Sequence, residues 1–230
     1  VKSGSAMAAA SAYRINIKGV QTHGSTPWSG IDPIMATAEL IESLNTIVSR
    51  RINIINNPAV VSVGLVKAGT RNNIIPEDAQ IMGTIRTFDP LLRKQIYEEI
   101  EQIAKGVALG TGTEISVEFD VGGFYPVTFN EPKLVNAMKG SLMEASPGRF
   151  YESNIPVTGA EDFSYFSQEV PGMYFWLGIN KPGVGLESAN FGERTDVAGN
   201  HSPYFYVDDS ALDEGVRAFV YLIDDYPVKF

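Results

Sequence analysis

The chain has 230 residues, 44% hydrophobic and 20% charged, an ordinary composition for a globular protein. Its 18 basic and 27 acidic residues give a formal net charge of -9. That argues against binding along a nucleic-acid backbone, which needs clustered Lys and Arg, but leaves room for an anionic small ligand in a local pocket. There is no cysteine, which excludes disulfides and thiolate metal sites, and no uninterrupted apolar run long enough to span a bilayer.

Residues 13–18, Tyr-Arg-Ile-Asn-Ile-Lys, alternate apolar and polar, the pattern of a strand with one wet face. A loop rich in Gly and Pro follows, from Gly19 to Pro33. Ile34, Ala38, Ile41, Leu44 and Val48 then recur at helical spacing, which predicts a helix over 33–51 capped by Asp32 with Pro33 at its first position. Strands are expected at 59–68 and 79–88, joined by a loop over 70–77. Asp89-Pro90 repeats the cap-plus-proline start, and Ile96, Ile100, Ile103 and Val107 mark a second helix that Gly110 and Gly112 end. Residues 114–119 alternate as cleanly as the first strand. The order strand, helix, strand, strand, helix, strand is that of a ferredoxin-like α+β fold: a four-stranded antiparallel sheet with two helices on one face and the other face uncovered.

The character of the chain changes at Gly122-Gly123. A helix is expected near 131–145, a loop over 146–160, and a strand at 173–177 whose continuous apolar run is typical of a parallel α/β sheet. A polar glycine-rich loop over 178–200 precedes a final helix over about 208–224, with Leu212, Val216, Phe219 and Ile223 turned inward. One short strand does not make a parallel sheet, so this half reads as incomplete. The pattern therefore changes between a ferredoxin-like stretch that ends near 120 and an incomplete α/β stretch beyond it.

The chemistry-bearing candidates lie mostly in loops. The two histidines, His23 and His201, sit among small residues and prolines, where an imidazole is a surface residue, a metal ligand, or a donor to a developing oxyanion. The tract 69–77 offers Arg71, Asn72 and Asn73 beside Glu77, a set suited to a carboxylate but also ordinary in a hairpin loop. Arg86 lies within the strand that follows. Glu161 and Asp162, after Gly159, read either as helix-start acids or as the lining of a metal or amine pocket. No Gly-x-Ser-x-Gly elbow or Gly-rich phosphate loop is present, and a serine hydrolase built on Ser25 with His23 lacks a local acid and oxyanion hole.

Four segments, in this order, carry a resemblance. They are His23-Gly-Ser-x-Pro-x-x-Gly-x-Asp-Pro, Asn73-Ile-Ile-Pro followed by Gly83-Thr-Ile-Arg86-Thr-Phe, Gly159-Ala-Glu-Asp-Phe, and His201-Ser-Pro-x-Phe. Together they resemble the co-catalytic metallopeptidases and amidohydrolases that include aminoacylase, hippurate hydrolase, indole-acetyl-amino-acid hydrolases and glutamate carboxypeptidase, with the hippurate-hydrolase branch most similar. The resemblance implies that 1–11 is a connector from the catalytic domain, that 12–120 is an inserted lid and dimerisation domain, that 121–230 is the C-terminal half of an α/β zinc-peptidase-like catalytic domain, and that the protein is a homodimer acting on N-acyl amino acids or small peptides. It implies two divalent metal ions, zinc or manganese, with His201 as a metal ligand. His23 would polarise the scissile carbonyl in a neighbouring subunit, and Asn73, Arg86, Gly159 and Glu161 would bind substrate. The family's other metal ligands and its catalytic Glu lie upstream of the lid, and nothing here corresponds to them. The chain is therefore expected to be inactive alone and its parent active. The alternative is a non-catalytic dimerisation or binding module.

Overall fold

The computed structural model describes residues 1–55, 57–179, 198 and 201–229. They fall into two compact units. One comprises Ser5–Phe129 with Pro156–Val170, the other Val1–Gly4, Asn130–Ile155 and Pro171–Phe230.

In the first unit, β1 (Ala9–Lys18), β2 (Ala59–Ala68), β3 (Asp78–Thr87) and β4 (Glu114–Tyr125) form one antiparallel sheet in the spatial order β2-β3-β1-β4. With α1 (Pro33–Thr46) and α2 (Pro90–Thr111) this is the ferredoxin-like arrangement that the order of elements predicts. Both predicted caps form: Asp32 Oδ1 accepts from the Ile34 amide at 2.8 Å and Asp89 Oδ1 from the Leu91 amide at 2.7 Å. Gly112, in the left-handed region at φ 74°, ends α2. The first helix is shorter than its periodicity suggests. Its α ladder ends at Thr46, and Ile47–Arg51 continues as a π turn. The hydroxyls of Thr46 and Ser49 donate back to the carbonyls of Ser43 and Asn45, at 2.7 and 3.1 Å, and compete with the regular ladder there.

The alternation sorts the sheet's side chains. Tyr13, Ile15, Ile17, Ile81 and Ile85 meet Leu40, Leu44, Ile96 and Ile100 of the helices, all of them 1% exposed or less. Each such side chain contributes about 1.5–3 kcal/mol of transfer free energy, which offsets the entropy of ordering the unit. The opposite face is polar. Arg14 Nη1 donates to Glu118 at 3.2 Å, Asn16 Nδ2 to the other oxygen of Glu118 at 2.8 Å, and Gln80 Nε2 to Asn16 at 2.9 Å, a ladder across three strands.

Tyr13 stands directly opposite Gly83, and its hydroxyl donates to the Ser62 carbonyl on β2 at 3.2 Å. Burial pushes its pKa up to about 12. Below the ordinary value near 10 the phenol is neutral folded or unfolded, and its contribution is intact. Between about 10 and 12 only the unfolded chain ionises it, so stability falls as pH rises through that window, by about 2–3 kcal/mol in all. Tyr13→Phe is expected to flatten the decline of the urea midpoint above about pH 10. Equal slopes in the two proteins would reject this account.

The second unit packs α3 (Pro132–Ala145) against the C-terminal helix Leu212–Lys229 around Val135, Leu142, Ala145 and Ala218. Two expectations fail here. The apolar run 173–177 is not a strand. It is held by the buried Asn130 side chain, which accepts from the Tyr174 amide at 2.6 Å and donates to the Tyr174 carbonyl at 2.8 Å. One amide thus takes the place of a neighbouring strand. The residues assigned inward on the last helix stay outside: Leu212, Val216, Phe219 and Ile223 are 52, 65, 59 and 69% exposed. The helix meets α3 through Ala218 instead, on a different face from the longest apolar stripe. Nearly all of the expected loop 178–200 lies outside the described residues. Among the described residues, no helix is long and apolar enough to cross a membrane.

Candidate functional site

Where β1 leaves the sheet, the Gly19 amide donates to the Glu77 carbonyl at 2.7 Å, which ties the loop over 19–32 to the start of β3. Reciprocal backbone bonds between Val20 and Ile31, at 2.9 and 3.1 Å, close the neck of this loop. Its tip pairs with the β2–β3 connection as a two-residue antiparallel ladder: Thr22 stands opposite Ile75 and His23 opposite Ile74. The Gly24 amide extends the ladder with a 2.8 Å bond to the Asn73 carbonyl. A side chain at Gly24 would put its Cβ 3.2 Å from that carbonyl, so the close approach favours glycine.

The result is that the backbones around His23 and Asn73, fifty residues apart in sequence, run on adjacent paired segments, with both residues exposed. The His23 ring is fixed by its own turn. Its Nδ1 accepts from the Ser25 amide at 3.1 Å and lies 2.7 Å from the Ser25 hydroxyl. Its carbonyl accepts from the Thr26 amide at 2.9 Å. Trp28, in the short turn Pro27–Ser29 that follows, is 80% exposed. Such a turn presents an exposed imidazole as a donor to an incoming oxygen. Among the described residues no carboxylate is hydrogen-bonded to the ring to act with it as a base.

Arg86 is not part of it. It lies eight residues beyond Asp78 on β3, about 26 Å at the rise of an extended strand, and pairs with Ala10 at the opposite end of β1. Toward that end the chain segment 5–8 binds the loop that carries Gly159 and Glu161. Met7 bridges Val157 in parallel, the Ala8 amide donates to the Val157 carbonyl at 3.0 Å, and the Val157 amide donates to Ala6 at 2.9 Å. Gly159 lies under the methyl end of Met7, which a Cβ would approach to 3.0 Å. Glu161 turns one carboxylate oxygen onto the Asp162 amide at 3.0 Å, and its carbonyl accepts from Ser164 at 3.2 Å as the helix Phe163–Glu169 begins. The candidates of the first unit thus fall into two groups, one at each end of β1.

His201 belongs to the second unit. It is exposed and adopts φ 70°, a left-handed conformation uncommon outside glycine. Among the described residues there is no group of three or more His, Cys, Asp or Glu able to hold a metal ion. A single imidazole does not fit two divalent ions, each of which needs about three or more protein ligands. Sequence reasoning weighed Ser25 as a nucleophile and missed it as the partner of the His23 ring. The signal was its place two residues beyond His23 in a Gly-Ser turn.

Residues 8–111 match the family model described as a peptidase dimerisation domain. The chain is 34% identical over 221 residues to thermostable carboxypeptidase 2 of Saccharolobus solfataricus, covering 96% of this chain and 52% of that protein. It is 33% identical over 222 residues to N-acetylcysteine deacetylase of Bacillus subtilis, covering 96% and 53%. A crystal structure of a dinuclear metal-binding peptidase of the M20 family, from Bacillus subtilis, superposes with a TM-score of 0.70 at 28% identity, over 99% of this chain and 53% of the other. The chain spans about half the length of the curated relatives it matches.

Proposed function

The chain carries the M20 peptidase dimerisation domain and is homologous to M20 amidohydrolases, and from that premise we propose that the protein it forms part of hydrolyses the amide bond between an acyl group and an amino acid. The observation that carries the reading is the docking of the His23 turn on the backbone of the 73–75 segment, which leaves the imidazole exposed on the lid. Relatives named as a deacetylase and a carboxypeptidase support it, because both break an amide bond of an amino acid.

In this reading the protein is a homodimer through the lid. His23 enters the neighbouring subunit's site and donates to the carbonyl oxygen as negative charge develops there, and Asn73 holds the same group. Arg86 binds the substrate carboxylate, for which a guanidinium is geometrically suited, beside Gly159 and Glu161. The parent uses two divalent ions, zinc or manganese, with His201 as one ligand. Residues other than those described here supply the remaining ligands and the general base.

The complete protein is expected to release free amino acid from N-acetyl or N-benzoyl amino acids. A chelator should abolish the activity, and zinc or manganese should restore it. A second reading, a non-catalytic dimerisation module, is favoured by the absence of a three-ligand cluster among the described residues. A complete protein that dimerises yet releases no amino acid from any such substrate would decide for the module.

A further inference from the structure

The ring of His23 meets two donors from one residue. The Ser25 amide N–H points at Nδ1 from 3.1 Å, and the Ser25 hydroxyl lies 2.7 Å from the same nitrogen. A hydroxyl can serve either as donor or as acceptor, so its contact alone leaves the tautomer open. A backbone N–H can only donate. Two polar hydrogens crowded into one short contact repel, so the amide favours the neutral ring whose Nδ1 is the bare, accepting nitrogen. The proton then belongs to Nε2, and the Ser25 hydroxyl donates as well.

We infer that Ser25 is a positioning residue that holds His23 in its Nε2–H tautomer, with that N–H presented as the outward donor. The surrounding turn supports this role. The Gly24 amide donates to the Asn73 carbonyl at 2.8 Å and the Thr26 amide to the His23 carbonyl at 2.9 Å, so the residues on both sides of Ser25 are tied down by backbone bonds. No partner at Nε2 appears among the described residues. The consequence rests on the proposed function: a donor aimed at a developing oxyanion works only if its proton is on the outward nitrogen, and a ring sampling both tautomers spends part of its time presenting a lone pair to a negative charge.

The same geometry opposes a Ser–His nucleophilic pair. In that chemistry the base accepts the serine proton on one nitrogen while a carboxylate accepts from the other. Here the nitrogen facing Ser25 already accepts that residue's amide, and no carboxylate partner of the ring appears among the described residues.

The test is spectroscopic and needs no turnover. The full chain has two histidines, so labelling histidine with nitrogen-15 gives two ring systems, and His23→Gln assigns the pair. Long-range proton–nitrogen spectra at about pH 9, well above the usual imidazole range, distinguish a bare ring nitrogen from a protonated one. The unmodified chain should show His23 with a bare Nδ1 and a protonated Nε2. Ser25→Ala keeps the amide donor and loses the hydroxyl donor, so the Nδ1–H fraction should rise about fivefold, the effect of losing one net hydrogen bond, and Ser25→Thr should restore the original spectrum. A protonated Nδ1 in the unmodified chain overturns the inference, even if no variant folds. So does a tautomer ratio unmoved by Ser25→Ala in a chain whose amide spectrum is otherwise preserved. The two ideas fail separately. The expected tautomer in a complete protein without amidohydrolase activity overturns the function alone, and the opposite tautomer in an active protein overturns the role of Ser25 alone.

Discussion

His23→Ala in the complete protein should lower kcat about 10²- to 10³-fold, the range seen when one oxyanion donor is removed from a preorganised site. KM should move little, because the lost bond is strongest once charge has formed on the oxygen and contributes less to the ground state. Folding should be nearly unaffected. The imidazole is exposed, its ring hydrogen bonds among the described residues are with Ser25, and surface substitutions of this kind stay within about 0.5 kcal/mol. Steady-state kinetics paired with a thermal midpoint separates the two effects. A variant that keeps its turnover would remove His23 from the chemistry, whatever else it does to the lid.

Gly83→Ala is expected to have the largest effect on stability, about 3–5 kcal/mol, with a matching fall in the urea midpoint. The added Cβ would lie 2.1 Å from the Ser62 carbonyl oxygen, 2.3 Å from Tyr13 Cζ and 2.4 Å from Tyr13 Oη. The Ser62 carbonyl is backbone of β2 and cannot retreat without opening the ladder. The Tyr13 ring is wholly buried and already bonded across the glycine. Moving it adds overpacking strain to a buried hydroxyl without a partner, two penalties of about 1–3 kcal/mol each. The double variant Gly83→Ala with Tyr13→Leu should recover part of the loss, since one neighbour of the clash is then gone. A single variant as stable as the parent would mean that the ring has room to leave.

Gly83 also shows where sequence reasoning runs out. A glycine inside a strand suggests a bulge or a close approach of backbone, and alternation cannot say which. The bulge is on the neighbouring strand, at Gly64, and Gly83 is the gap that Tyr13 fills. That requires knowing which strands are neighbours. By contrast, the alternation over 13–18 and 114–119 and the two Asp-Pro helix starts are local signals, and the sheet and the caps follow from them. The apolar run 173–177 misled because burial alone was visible in it, while the Asn130 amide that holds it is 44 residues from Tyr174. The stripe on the last helix was a true periodicity, but periodicity identifies a face and not what covers it. At the site, His23 and Asn73 were singled out by residue type and by resemblance. Their shared ladder was hidden because it depends on two loops meeting beyond the ends of the sheet.

The separation of Arg86 from the His23–Asn73 pair bears on how such a protein can change over generations. In the arrangement proposed above, both ends of β3 serve a substrate, yet with about 26 Å between them they never serve the same one within a single molecule. One gene therefore encodes two half-instruments that are inherited together and used apart. A lesion at one end of a copy spoils one catalytic centre, and a lesion at the other end of its neighbour spoils that same centre. Two differently damaged copies, mated the right way round, still assemble one whole centre between them, which neither could assemble with its own kind.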